Sequence, residues 1–503
     1  MTMKKFNGLV AYDDKKTDSM VKEIIHHSTR HKDDDQIWCF VAPAGYGKTT
    51  LGLRKLTKEL YKKGIRVFYL LGPQTTNVDD STIVKHLRKL QTSVSFPIEY
   101  HLKADWKKMS EYLDFVDDTD GEGMVILTMT DSSFGGYSKK KKVFHADHML
   151  EQINQYDLSK QTYVVADEGD IGSTSTAEAM RWTNGVKAKN PKNYVGSKYN
   201  ALLKFSKVVF GVLDLTATQT AEQDGTLKCK PLMDFILKSK YKIIGTHPTK
   251  EEMMLRLAGV NNVIWYDKTD NPLPQIINVF QQNLIDQDRQ DELARLYELP
   301  EELSSKRIGL IKLETRYLQR EKITVDRVTE LLSDYNFPLH WEFKCGFMCD
   351  DKRYIFQIKD GEFNSIDDPY LNDSDLYKSL RNSDSDLRFL FVVNKASRGI
   401  DIPNNYDELS LRVYGMFNPE KEPVTQTGVQ FILRGIRIKV PIEKLVPYFD
   451  KESEFLHYYS VVNSFNITLP RSEKGYWEGV MNFVNEKYNS MSDIIHYLSN
   501  LKY

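Results

Sequence analysis

The chain has 503 residues, 41% hydrophobic and 28% charged, so a prior of about three domains with real cores applies and global disorder is excluded. The 69 Lys and Arg against 70 Asp and Glu leave a formal charge of −1. That excludes a strongly basic nucleic-acid coat but not local basic tracks, because a phosphate backbone responds to the local field.

Four cysteines are too few for a disulfide scaffold. No leader-like apolar segment follows Met1, and no run approaches a membrane span. The expectation is a cytoplasmic protein without a membrane. Cys345 and Cys349, lacking a second Cys or His pair nearby, read as two ordinary thiols rather than half a zinc site.

Along the chain, apolar runs at residues 37–42, 67–71, 124–128, 163–166 and 208–213 predict strands, with helical patterns between them. Several are apolar almost throughout, as strands buried on both faces of a parallel sheet should be. A second set at residues 276–280, 307–313, 387–393 and 409–416 predicts another such sheet. The segment 268–274, Lys-Thr-Asp-Asn-Pro-Leu-Pro, marks the boundary between them. From about residue 441 the pattern becomes one of amphipathic helices rich in Tyr, Phe and Trp, whose spacing suits a packed core. The predicted division is 1–270, 271–440 and a small helical C-terminal module, 441–503.

Residues 42–50 read Ala-Pro-Ala-Gly-Tyr-Gly-Lys-Thr-Thr, between a buried strand and a predicted helix. In that context they are a phosphate loop. Gly45 and Gly47 let backbone N–H groups curl round an anion, with Thr50 closing the loop. Lys48 brings a point charge to the outer phosphates, and the Thr49 hydroxyl suits Mg²⁺. ATP or GTP is the expected ligand. Downstream, the apolar run 163–166 ends in the adjacent acids Asp167 and Glu168. Asp167 suits the metal and Glu168 a general base for the attacking water, which favours hydrolysis over transfer to a substrate.

Asp167-Glu-Gly-Asp170 resembles the DEAD/DEAH signature of superfamily 2 helicases, and other matches follow in that family's order. Leu215-Thr-Ala-Thr218 resembles motif III, Arg398-Gly-Ile-Asp-Ile-Pro403 motif V, and Gln430-Phe-Ile-Leu-Arg434-Gly-Ile-Arg437 motif VI. Gly72-Pro-Gln-Thr-Thr76 and Lys312-Leu-Glu-Thr-Arg316 are weaker matches to motifs Ia and IV. The set runs over roughly residues 35–440.

This resemblance implies an α/β fold of two tandem RecA-like parallel-sheet domains, and an ATP- and Mg²⁺-dependent translocase or helicase. ATP would be hydrolysed at the interdomain cleft. Arg434 and Arg437 would be arginine fingers supplied in cis, and Gln430 would position the γ-phosphate or water. Gly399 and Asp401 would lie near the ribose, while Thr216 and Thr218 would couple hydrolysis to the nucleic acid. Leu433 replaces the usual Gly of motif VI, and Gln219 follows motif III where Pro is usual. No adenine-reading Gln stands at the expected distance before the phosphate loop, which favours DNA over RNA. Replication or recombination proteins are candidate partners, and the Lys-, Asp-, Asn- and Tyr-rich usage suits a phage or other mobile element.

Two basic stretches, Lys139–Lys142 and Lys187–Lys207 with Tyr194 and Tyr199 interleaved, are either solvated loops or phosphate-backbone contacts. A DNA-packaging, terminase-like ATPase is the rival enzyme, and its nuclease domain would need clustered acids in place of motifs V and VI. A nucleotide-binding scaffold without turnover is the other alternative, against which Glu168 and the two arginines argue.

Overall fold

The computed structural model describes residues 14–30, 38–41, 51–72, 82–138, 140–167, 197–216, 219–223, 226–230, 243–244, 260–267, 271–300, 303, 306–313, 325–349, 352–382, 384–393, 415–417, 445–463, 465–471 and 474. The chain divides into two compact units, one within Tyr12–Lys250 and one within Glu251–Tyr503.

The first unit is built on seven strands: β1 (Trp38–Val41), β2 (Val67–Gly72), β3 (Ile98–His101), β4 (Met124–Thr130), β5 (Thr162–Asp167), β6 (Gly211–Thr216) and β7 (Ile243–Ile244). They lie in the order β7-β1-β6-β5-β2-β4-β3, and every pairing is parallel. The continuous apolar runs have a direct physical reason, since alternate residues feed opposite faces and both faces are covered. Tyr69, Leu71, Leu127, Met129, Val164 and Ala166 enter one core. Phe68, Leu70, Ile126, Tyr163 and Val165 enter the other.

Helices close each face. Buried residues of α1 (Asp14–Arg30), α2 (Leu56–Lys62) and α3 (Thr82–Gln91) lie in the second core. Those of α4 (Met109–Asp118), α6 (His145–Gln155) and α7 (Ser197–Val208) lie in the first. Between β4 and α6 stand the short helix α5 (Asp131–Gly135) and a hairpin of Tyr137–Ser138 with Val143–Phe144.

The second unit contains β8 (Val260–Tyr266), β9 (Gly309–Leu313), β10 (Phe343–Cys349), β11 (Lys352–Lys359), β12 (Glu362–Ile366), β13 (Leu387–Val393), β14 (Gly415–Phe417) and β15 (Phe465–Pro470). Its main sheet has the order β12-β11-β10-β13-β9-β14. The four strands β10, β13, β9 and β14 run parallel, and β11 and β12 add an antiparallel edge. The β11–β12 turn is Asp360-Gly361, both with positive φ (52° and 84°), the geometry that Asp-Gly hairpin turns favour. The fold class is thus the expected α/β, with parallel sheets in both units.

One predicted strand is corrected. Residues 276–280 belong to the 24-residue helix α8 (Leu273–Leu296). Pro272 precedes it and Pro274 stands in its first turn, where a missing N–H costs nothing. Its buried positions, Ile276, Val279/Phe280, Asn283, Asp286/Gln287, Gln290 and Leu293/Ala294, recur at helical spacing along one face. The short apolar cluster at its start looks like a strand only when the polar buried positions further on are not counted.

Helices α9 (Val325–Ser333) and α10 (Asp373–Arg381) come next in the chain, and after residue 441 the helix α11 (Glu452–Asn463) buries Phe455, Tyr458, Tyr459 and Val462 against Leu293 and Ala294 of α8. The following run is not helical. It forms β15, parallel to β8.

Candidate functional site

Three adjacent strands of the first sheet end level with one another. Val41, the last residue of β1, pairs with Thr216, the last residue of β6. Asp167, the last residue of β5, pairs with Leu215 one position earlier. On the other side of β5, Ala166 pairs with Leu71 of β2, so Gly72 ends beside Asp167. Thr130 at the end of β4 is in turn level with Gly72. The carboxyl edge of this parallel sheet therefore carries, strand by strand, Thr216, Asp167, Gly72 and Thr130, with Val41 leading into the phosphate-loop sequence. In open α/β sheets the crevice beyond this edge is where ligands bind.

Local sequence explains the placement. In β5 the five residues Thr162–Ala166 are buried and Asp167 is only partly so; the apolar run ends where a carboxylate can reach water without losing its solvation. β5 is also fixed at its other end. The Tyr163 hydroxyl lies 2.7 Å from the Ser28 hydroxyl of α1. Complete burial raises the Tyr163 pKa, while that hydrogen bond opposes the rise, so the phenol stays neutral and serves as a strut. After residue 50 the chain re-enters as a helical turn, Leu51–Lys55, leading into α2. Residues 42–50 therefore connect a strand's carboxyl end to a helix start, the setting in which such a loop holds phosphate.

Of the predicted site residues, the described structure brings Asp167 and Thr216 to this edge. Gly45, Gly47, Lys48, Thr49, Thr50, Glu168, Thr218, Gly399, Asp401, Gln430, Arg434 and Arg437 lie outside the described residues. In the second unit the ends of β9, β13, β10 and β14 are level too, with Leu313 opposite both Val393 and Phe417, and Cys349 opposite Val393. The sequence 312–316 begins in the last two residues of β9, and 398–403 follows the adjacent strand β13 in the chain.

Thr130 is the edge residue that motif reading missed. Its hydroxyl accepts from the Ser133 N–H at 3.2 Å and caps α5, and the signal was there in Thr-Asp-Ser-Ser directly after an apolar run. For Mg²⁺, Asp167 has the right chemistry, a hard and partly exposed carboxylate oxygen at the end of β5, one strand removed from the phosphate-loop strand β1. Among the described residues no group of three or more His, Cys, Asp or Glu could hold a metal. Nor is any described helix long and apolar enough to cross a membrane.

No family model and no curated protein matches the chain. Among solved structures it is similar to the ATP-dependent Type ISP restriction-modification enzyme LlaBIII bound to DNA, at 13% identity and a TM-score of 0.43, covering 96% of this chain and 33% of that one. It thus spans about a third of that enzyme's length. It is also similar to XPD helicase, at 11% identity and a TM-score of 0.37, covering 93% of this chain and 98% of that one. A third likeness is to Mss116p bound to ssRNA and AMP-PNP, at 11% identity and a TM-score of 0.36, covering 95% of this chain and 76% of that one. At such values the chain's own motifs and strand edges, rather than these likenesses, bear on its chemistry.

Proposed function

We propose that the chain is an ATP-dependent nucleic-acid translocase or helicase of the superfamily 2 type, acting on DNA in preference to RNA. The observation that carries this reading is the level carboxyl edge of β1, β6 and β5. The phosphate-loop, Asp-Glu and Thr-Ala-Thr sequences all leave the sheet there, although they are far apart in the chain.

In this reading Gly45, Gly47, Lys48 and Thr50 bind the nucleotide phosphates, and Thr49 and Asp167 hold Mg²⁺, which when bound neutralises phosphate charge. Glu168 accepts a proton from the attacking water. Arg434 and Arg437 stabilise charge on the transferring phosphoryl group, helped by Gln430. Gly399 and Asp401 contact the nucleotide. Thr216 and Thr218 pass the state of the phosphate site to the bound strand. Thr216 is suited to this because it sits at the end of β6, whose partners are the phosphate-loop strand and the Asp167 strand.

The test is ATP turnover by the full chain, alone and with single-stranded DNA or RNA. A rise of tenfold or more (roughly 1.4 kcal/mol in the barrier), larger with DNA, is expected. Turnover that neither polymer raises would overturn the motor reading.

A further inference from the structure

The hairpin between β4 and α6 is unused by that chemistry, and it carries a run of lysines. Lys140, Lys141 and Lys142 at its tip are exposed. Each lacks an ion-pair partner among the described residues, and Lys142 adopts a positive φ of 52° that turns the chain. The tip is packed rather than splayed. Lys141 lies 5.3 Å from the Trp106 ring centroid, over a ring that also stacks on His145 at 4.0 Å and 12°. Lys107 lies 5.8 Å from the same ring. The Lys141 N–H donates to the Ser138 hydroxyl at 3.2 Å.

The root is fixed as firmly. The His145 N–H donates to the Gly136 carbonyl at 2.9 Å, and the His145 ring Nδ1 lies 3.0 Å from the Ser133 carbonyl of α5. Lys204 of α7 covers Phe144 at 4.9 Å while paired to Asp147 at 2.6 Å, so the nearby α6 acid is already engaged by a lysine. The Asp105 carboxylate is taken up by the Lys107 N–H at 3.0 Å. Beside the lysines Tyr137 presents an aromatic face, 42% exposed, braced edge-on by Phe144.

We infer that this hairpin is a second contact for single-stranded nucleic acid: Lys107, Lys140, Lys141 and Lys142 hold the phosphate backbone and Tyr137 stacks on a base. This deepens the proposed function and rests on it. A loop that only kept the protein soluble would have no need to hold Lys141 over an indole or to expose a braced ring beside its lysines. Lysines with an adjacent exposed aromatic form a sequence-tolerant single-strand site. Its place is apt, since α5 and the hairpin follow directly from β4, whose end Thr130 lies on the same carboxyl edge as Asp167. A strand drawn along that edge would pass the hairpin.

Anisotropy of labelled single-stranded oligonucleotides with the full chain tests this across a salt series, using the triple variant Lys140→Ala/Lys141→Ala/Lys142→Ala, its Lys→Arg counterpart and Tyr137→Ala. The triple alanine variant should bind more weakly and lower the log–log salt slope by about 2, as the loss of three phosphate contacts on a single strand requires. The arginine variant should restore both, and turnover without nucleic acid should stay unchanged in all. Tyr137→Ala should weaken binding about tenfold and leave the slope intact. Wild-type binding with an unaltered affinity and slope in the alanine variant would overturn the hairpin assignment alone. Absence of binding by the wild type would overturn both it and the motor reading, and a loss of affinity for an acidic polypeptide only would replace nucleic acid with a protein partner.

Discussion

In the proposed reaction, Glu168 is where hydrolysis and binding separate. Glu168→Gln preserves the side chain's shape and removes its proton-accepting charge. Nucleotide affinity should hold within about threefold while turnover falls by about 10²–10⁴, the usual worth of a positioned general base; isothermal titration and a phosphate-release assay read the two, and unchanged turnover would remove the assignment. A different single-residue argument concerns Arg307, which is 1% exposed. Its Nη1 lies 3.4 Å from the Asp286 carboxylate and its Nη2 donates to the Val461 carbonyl at 2.7 Å. The same Asp286 oxygen accepts from Asn466 at 2.6 Å. One guanidinium thus joins α8 to the end of α11, and the carboxylate extends the chain of contacts to β15. Asp286→Ala would leave a buried cation without its carboxylate, a loss of about 3–5 kcal/mol, to be read as a lower urea midpoint. The double change Arg307→Met with Asp286→Leu should lose much less, because the desolvation penalty of both charges disappears together.

At the scale of elements, Lys306 controls the end of α10 (Asp373–Arg381). Its ammonium donates to the Asn382 carbonyl at 2.9 Å and the Ser385 carbonyl at 2.6 Å, at and beyond the helix C-terminus where carbonyls lack partners. Burial, with the Arg388 guanidinium acting the same way, pushes its pKa down to about 7, and Asp386 and Asp384 oppose this only weakly. A lysine whose folded pKa is lowered binds fewer protons folded than unfolded. Its penalty is full below about pH 7, and stability rises as pH climbs from there toward the ordinary lysine range. Lys306→Met should therefore flatten the pH dependence of unfolding between pH 7 and 10 by on the order of 1–2 kcal/mol, measured by urea melts of both proteins; parallel curves would remove Lys306 as the cause. The elements most legible in the sequence were those whose burial is uniform, such as β2, β4 and β5, because both faces of a parallel sheet demand the same residues. The strand-like opening of α8 misled because four of its buried residues, Asn283, Asp286, Gln287 and Gln290, are polar and so do not extend an apolar stripe. β10 to β12 escaped attention although Asp360-Gly361 signalled their hairpin turn. Asp167 and Thr216 stand out in the sequence as candidates through motif chemistry, whereas their shared edge depends on strand order, which no local pattern encodes.

For the whole molecule, the two units carry different parts of the proposed reaction. The first has its own seven-stranded sheet, a core on each face, and the phosphate-loop and Asp-Glu sequences. Arg434 and Arg437 belong to the second. A protein of residues 12–250 alone should accordingly bind nucleotide nearly as well as the full chain, because phosphate contacts come from its own loop, yet turn it over about 10³-fold more slowly or worse, the usual worth of a missing arginine finger. Arg434→Ala in the full chain should reproduce most of that loss without the deletion, and the same substitution with added guanidinium should regain part of it, as a small cation can enter the space of the missing side chain. Equal losses of affinity and turnover in Arg434→Ala would mean that the arginine binds ground-state nucleotide rather than the transition state. The near-zero net charge of the chain agrees with such a division. Affinity for a polyanion then comes from local clusters that conformational change can engage and release, and a motor that must let go of its track at every cycle gains nothing from a uniformly cationic surface.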